Sequence, residues 1–246
     1  MPTDITANSW PEFLAALQQA RSELGNPQEV WYRGHSRLRY FLTPSLFRFP
    51  TGAMKEQDLF NDYARSAARL LPQRSNDWDR LFDMQHYGVP TRLLDWTEVL
   101  GIAVAFALYD TREDNEPSAV FVLNPAALNR KSGHAAIKQA PADAAFDYKN
   151  MYWHGNPVTP TFPIAFRPIL QSDRLVAQHG TFTIHGSDLR TLDEQAPDCV
   201  RCLVLNPTAK AGAREFLNYA ALDPFRIYPD VVGMARHLVR KHLEES

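Results

Sequence analysis

Three short segments of this chain are polar where packing alone would prefer apolar residues. The first is Tyr32-Arg33-Gly34-His35. An arginine ending an apolar strand, followed by glycine, presents a planar guanidinium beside backbone that a ligand can approach closely. The plainer alternative is an exposed arginine in a turn. The second segment is Gln85-His86-Tyr87-Gly88-Val89-Pro90-Thr91-Arg92-Leu93-Leu94-Asp95-Trp96-Thr97, which sets polar and aromatic residues around a Leu-Leu strand. Its alternative is an Arg92–Asp95 ion pair that ties down a loop. Arg92 reads as structural, its fork bridging Asp95 to fix the turn that carries Asp95-Trp96-Thr97. The third segment, Gln178-His179-Gly180-Thr181-Phe182-Thr183, brings a glutamine into a strand beside a glycine. Ordinary sheet-edge hydrogen bonding is the competing explanation.

The signatures of several other chemistries are missing. There is no GxxxxGK[ST] or GxGxxG phosphate loop, no HExxH and no GxSxG elbow. His237 and His242 are five apart on an expected helix, about 140° around its axis, a poor arrangement for one metal. No clustered acidic ligands are present, so no metal is expected and a nuclease is disfavoured. Cys199 and Cys202 form a CxxC that runs into Cys202-Leu203-Val204-Leu205, a buried-strand pattern. Positions three apart on a strand face opposite sides, which favours two reduced core thiols over a zinc or redox pair. With formal charge −2 and 246 residues, no global basic field marks a nucleic-acid binder. A local groove is the remaining route. Arg33, His35, Arg37, Arg39 and Arg48, interleaved with Tyr40, Phe41 and Phe47, offer a basic, aromatic track for RNA or another single strand. A solvated loop is the alternative there. The N-terminus lacks a secretory pattern and no stretch approaches the ~20 apolar residues of a membrane span. A cytoplasmic protein without a membrane partner is expected.

The elements that must position these residues are legible in outline. Ser9-Trp10-Pro11-Glu12 reads as a capping box for a helix with Phe13, Leu14, Leu17 and Leu24 on one face, stopped by Gly25. A strand follows at Val30 to Arg33. Helices are expected over Glu56 to Leu70, broken by Pro72, and from Trp78 to Gln85, closed by Gly88 and Pro90. Thr91 to Leu94 reads as a strand, and Ile102 to Tyr109 as a helix buried in the core. Ala119 to Leu123 is a buried strand. The Pro- and Gly-dense stretch from Ala126 to Pro168 reads as irregular loop with short elements. Strands at Leu175 to Ala177, Thr181 to His185 and Val200 to Leu205, then helices near Lys210 to Tyr219 and Asp230 to Leu243, complete one α+β domain.

These segments also carry a resemblance. The order Trp31-Tyr32-Arg33-Gly34-His35, Pro44-Ser45-Leu46, the run from Gln85 to Thr97, and Gln178-x-Gly180-x-Phe182 resembles the FRG domain family. The resemblance places an N-terminal capping helix in residues 1–29 and the FRG domain in 30–246. More distantly, the chain is similar to ADP-ribosyltransferases of the arginine-type clade. In that clade an aromatic-Arg-Gly strand end, a Ser-Thr-Ser-like strand leading into an Ala-rich helix, and a catalytic glutamate follow one another. Here Tyr32-Arg33-Gly34 fits the first place, Asp95-Trp96-Thr97 before Ala103-Val104-Ala105 the second, and Gln178 the third, an amide where the clade has a carboxylate.

The resemblance implies a single α+β domain with an ADP-ribosyltransferase-like split β-sheet and flanking helices. It implies an NAD-dependent enzyme, a bacterial toxin or anti-phage effector that modifies a macromolecule, nucleic acid before protein, with NAD as substrate. An antitoxin or chaperone partner would accompany such an activity. Gln178, Asp95 and Thr97 take the catalytic places; Tyr32, Arg33, Gly34, His86, Tyr87 and Trp96 hold the dinucleotide. Arg33 would grip a pyrophosphate or ribose oxygen, and Gly34 would let its backbone meet the nicotinamide amide. The alternative is a non-catalytic nucleotide-sensing or protein-interaction module, which the uncharged Gln178 favours.

Overall fold

A computed structural model describes residues 4–38, 41–71, 76–109, 115–140, 146–155, 159–170 and 172–244. The β-branched and aromatic runs pair into one eight-stranded mixed sheet. Its strands are β1 (Asp4–Ala7), β2 (Trp31–His35), β3 (Leu93–Thr97), β4 (Ser118–Leu123), β5 (Lys138–Ala140), β6 (Ile164–Pro168), β7 (Gly180–Ile184) and β8 (Val200–Leu205). They lie side by side as β1-β8-β4-β2-β3-β7-β6-β5. The two outermost pairs, β1 with β8 and β5 with β6, are parallel, and every inner pair is antiparallel. An α+β architecture with helices flanking a single sheet is therefore present.

Side-chain alternation splits the buried residues between the sheet's two faces. On one face Trp31, Leu94, Trp96, Phe121 and Val204 pack with Leu128 and with Leu192 of α8 (Leu192–Gln195). On the other, two separate clusters form. Tyr32, Val120, Val122 and Leu203 lie under α1 (Trp10–Glu23) and α4 (Leu100–Tyr109). Leu93, Phe166, Phe182 and Ile184 lie under α3 (Asp77–His86), with Phe60 from α2 (Gly52–Ala67). Helix α4 is apolar throughout because sheet covers one side and α9 (Lys210–Tyr219) the other. It crosses β2 at Gly34: a Cβ there would lie 1.9 Å from the Ala103 carbonyl oxygen. The bare glycine is thus used by the fold, not by a ligand's approach from that side.

Several expectations need correction. Ser9 caps α1 by accepting from Glu12 N–H, but the Glu12 carboxylate accepts from Asn8 N–H, so the box is not reciprocal. The buried stripe of α1 is Phe13, Ala16 and Ala20, and Leu14 faces solvent. Residues Asp95-Trp96-Thr97 continue β3 instead of forming a turn, because β7 pairs with them to Thr97↔Gly180. Residues Asp173–Ala177 are a helical turn, α7, capped by Ser172, where a strand was expected. Gln178 ends that turn and does not enter the strand. The 126–168 stretch is more regular than expected, holding α5 (Pro125–Lys131), β5, α6 (Tyr148–Tyr152) and β6. The N-terminal segment adds a strand, β1, to the sheet edge and is part of the same body. Cys199 and Cys202 are free and buried as expected. They share one cluster, however, since Cys199 precedes β8 and strand alternation does not apply to it. Pro72 lies outside the described residues.

Candidate functional site

The sheet has one narrow join. β2 meets β4 over five residue pairs and β3 meets β7 over five, but β2 and β3 register only at Tyr32↔Thr97. Beyond that pair the ladder stops. On the face above it, α3 covers one half of the sheet and α4 the other. A cavity of about 240 Å3 opens between them. Its lining includes Tyr32, Arg33 and Gly34 from β2, Asp95, Trp96 and Thr97 from β3, His86 and Tyr87 from the end of α3, and Gln178 after α7. All nine site residues singled out in the sequence therefore touch one cavity.

Their individual geometry assigns them different work. Arg33 spans the gap in the ladder: its Nη1 donates to the Asp95 carbonyl at 2.6 Å and lies 3.5 Å from the Asp95 carboxylate. Its Nε donates to His35 Nε2 at 2.9 Å. Burial pulls the guanidinium below its ordinary value, opposed by Asp95 and reinforced by Arg48. The Asp95 side chain is 56% exposed and also accepts from Gln85 Nε2 at 2.8 Å. Gln85 in turn accepts from the Thr91 hydroxyl at 2.6 Å. Gln85, absent from the expected site, is what orients the carboxylate.

Thr97 and Gln178 form the opposite wall. The Thr97 hydroxyl donates to the Gln178 carbonyl at 2.7 Å and accepts from Val99 N–H, so it ties the two segments together. The Gln178 amide donates to the Ile227 carbonyl at 3.1 Å. His179 follows with φ of 45°, a left-handed turn that feeds the chain into β7. His86 and Tyr87 sit at the exposed rim with their rings edge to face. Partial burial and then Arg174 hold the His86 imidazole below its ordinary value, with Asp83 and Asp230 opposing. Trp96 and Tyr32 are core residues that reach the cavity. Trp96 is buried on the far face and donates to the Thr183 hydroxyl at 3.0 Å. Tyr32 is packed in the α1–α4 cluster, and burial raises its phenol.

Sequence reasoning missed Asp83, Phe106 and Arg174, which also line the cavity. Arg174 stands just before the run Leu175 to Ala177 that read as a strand and is part of the helical turn α7 instead, and Asp83 lies on α3 among the residues of its apolar pattern. It also misassigned Arg92. That guanidinium pairs with Glu56, not with Asp95, and is buried well away from solvent. The basic, aromatic track shrinks as well. Arg37 lies 3.7 Å from Glu116, His35 is buried, and Phe47 packs on His185 and Arg92. Phe41 and Arg48 remain at the surface, while Arg39 and Tyr40 lie outside the described residues. Among the described residues no group of three or more His, Cys, Asp or Glu is placed to hold a metal. No helix among them is long and apolar enough to cross a membrane.

Comparison with known families places a match over residues 28–116, to the FRG domain. Residues 28–116 are similar to the FRG domain. The matched stretch holds β2, α3, β3 and α4, hence Arg33, Gln85, His86 and Asp95, and ends before Gln178. No curated protein and no solved structure matches the chain.

Proposed function

We propose that the cavity at the β2–β3 join binds NAD and that this protein is an NAD-dependent ADP-ribosyltransferase-like enzyme. The observation that carries the reading is convergence: Arg33, Asp95, Thr97 and Gln178, from three distant stretches, line one cavity where the sheet is joined by a single pair. An ADP-ribosyltransferase-like split sheet needs an opening of this kind. Cleavage of the nicotinamide–ribose bond builds positive charge on the sugar, as in glycoside cleavage. Gln178 cannot ionise, so Asp95 is the group that offsets that charge, oriented by Gln85. Arg33 binds the pyrophosphate through its fork. About 240 Å3 is below the usual 300–1,000 Å3 of a drug-sized site, so the cavity takes one end of the dinucleotide. The other end lies along the His86–Tyr87 rim. The acceptor in this reading is a macromolecule, nucleic acid before protein, approached past Phe41 and Arg48. A toxin or anti-phage role with an antitoxin partner is the setting we infer.

One observation favours a second reading, a module that senses a nucleotide without turning it over. The Gln178 amide is already engaged with Ile227, and no glutamate stands in its place. Calorimetry with NAD and a nicotinamide-release assay separate the two. The enzyme reading expects release by wild type and a loss of ~100-fold in Asp95→Asn, the scale of one electrostatic group in a transition state. Binding without release, with or without cell extract, supports the sensor. No binding of NAD overturns the dinucleotide in both.

A further inference from the structure

Two of the cavity's side chains are held from behind by a part of the chain that does not line it. Residues Pro224–Ile227 form a helical turn, α10, capped by the Asp223 carboxylate, and Tyr228 follows. The Ile227 carbonyl takes the Gln178 amide proton. The Tyr228 ring lies under the Arg174 guanidinium, 5.0 Å from its centre, and meets Phe106 edge-on at 5.8 Å. Arg174 and Phe106 stand on different walls of the cavity, one on α7 and one on α4. Tyr228 is therefore the brace between walls that belong to the two halves of the sheet.

The brace is itself fixed from α11 (Val231–Val239). Arg236 lies over the same ring at 5.9 Å. Gly233 packs so closely that a Cβ would lie 1.8 Å from the Tyr228 carbonyl oxygen and 2.7 Å from its Cβ. Only a glycine lets the helix approach this far. Gly233 N–H also donates to the Asp230 carboxylate at 2.7 Å, which sets the start of α11. A cation over an aromatic face is attracted by the ring's quadrupole, which biases a flexible arginine toward one orientation.

We propose that Tyr228 is a positioning residue of the seam cavity, and that residues 224–236 act as a clasp fixing Arg174 and Gln178 for ligand binding. The clasp rests on the cavity being the functional site; NAD enters only one of its readouts. The groups that act on His86 are Arg174 from α7, Asp83 from α3 and Asp230 before α11. Partial burial lowers His86 most and Arg174 next, so a change in where Arg174 is held moves the His86 titration, with or without a ligand.

The test uses the full chain with labelled histidine, following His86 by NMR across pH, and calorimetry with NAD. Tyr228→Leu frees Arg174, so the His86 titration moves up toward the ordinary histidine value, and NAD binds roughly tenfold more weakly, about 1.4 kcal/mol. Tyr228→Phe keeps the ring and behaves as wild type in both. An unchanged His86 titration in a folded Tyr228→Leu overturns the clasp, as does a Tyr228→Phe that matches Tyr228→Leu. Should Tyr228→Leu fail to fold, Arg174→Lys carries the test: it keeps the charge, loses the planar stack, and is expected to move His86 the same way. No movement there also overturns the clasp. If wild type does not bind NAD, the dinucleotide reading fails and the His86 titration alone decides the clasp.

Discussion

Two arginines in this molecule have the same kinds of neighbour, an acid and a histidine, and opposite surroundings. Arg92 donates to both Glu56 oxygens and to the carbonyls of His185 and Gly186, at 2.9 and 3.2 Å. Tyr152 and Phe47 cover its faces at 4.8 and 5.6 Å, and Tyr148 donates its hydroxyl to Glu56. Burial alone would lower the guanidinium, and the Glu56 carboxylate outweighs it and holds Arg92 above its ordinary value. Arg33 has Asp95 and His35, yet its acid is mostly in solvent, and the arginine and the acid both line a cavity. The first cluster is closed upon itself and serves the fold. The second is open on one side, where a ligand can enter the same network. Residue type does not separate these roles; the packing around the acid does.

Glu56→Ala is the strongest way to break the comparison. It leaves the Arg92 charge buried without its carboxylate, a loss of about 3–5 kcal/mol. Urea unfolding should read that shift directly. A loss below about 1 kcal/mol would mean that the closed cluster is not what holds α2 to the sheet.

The histidine of the closed cluster gives the next effect. His185 is fully buried, and neither ring nitrogen has a protein hydrogen-bond partner among the described residues. Burial, then Arg92, lowers it from 6.5 to about 3, with Asp188 opposing. Between those two pH values the unfolded chain binds a proton that the native one does not. Stability therefore falls as pH drops through that window, by up to about 1.4 kcal/mol per pH unit from this one group. His185→Leu removes that proton at little cost in hydrogen bonding. Its unfolding free energy should fall less steeply than wild type below pH 6.5. Parallel pH profiles would show that His185 is protonated in the native state.

How far these two clusters were legible in the sequence follows from how local their signals are. The elements around Arg33, Trp78, Ile102 and Val120 announced themselves by composition and periodicity, and they formed where expected. The partner of Arg92 did not. Asp95, three residues away, looked nearest, but Arg92 sits just before β3 with its guanidinium on Glu56, while Asp95 lies within the strand and lines the cavity. Glu56 is 36 residues earlier, and its only trace is a carboxylate four residues before Phe60 on the buried side of α2. That displaced charge was the available signal. Gln178 looked like a strand residue because Leu175-Val176-Ala177 is apolar; Ser172 as a cap and the left-handed His179 made it a helix end instead. Gly34 carried two meanings at once, ligand approach and helix contact, and only the position of α4 separates them.

Arg33→Ala is the smallest change to stability and the sharpest test of the contrast. Its ion pair spans 3.5 Å to a carboxylate 56% exposed, and such pairs contribute about 0–1 kcal/mol. Its bond to the Asp95 carbonyl joins two residues that line a cavity water can fill, so that loss is largely compensated. We expect a urea midpoint within about 1 kcal/mol of wild type, a fraction of the Glu56→Ala effect, because little buried charge is left unpaired. NAD affinity should fall at least tenfold, since among the described residues the cavity's other guanidinium, Arg174, stands on the α7 wall. The two measurements answer different questions. A variant that folds normally and still binds NAD removes Arg33 from the ligand's grip. A variant that unfolds as readily as Glu56→Ala makes Arg33 a strut across the β2–β3 gap, and the open cluster would then be structural like the closed one.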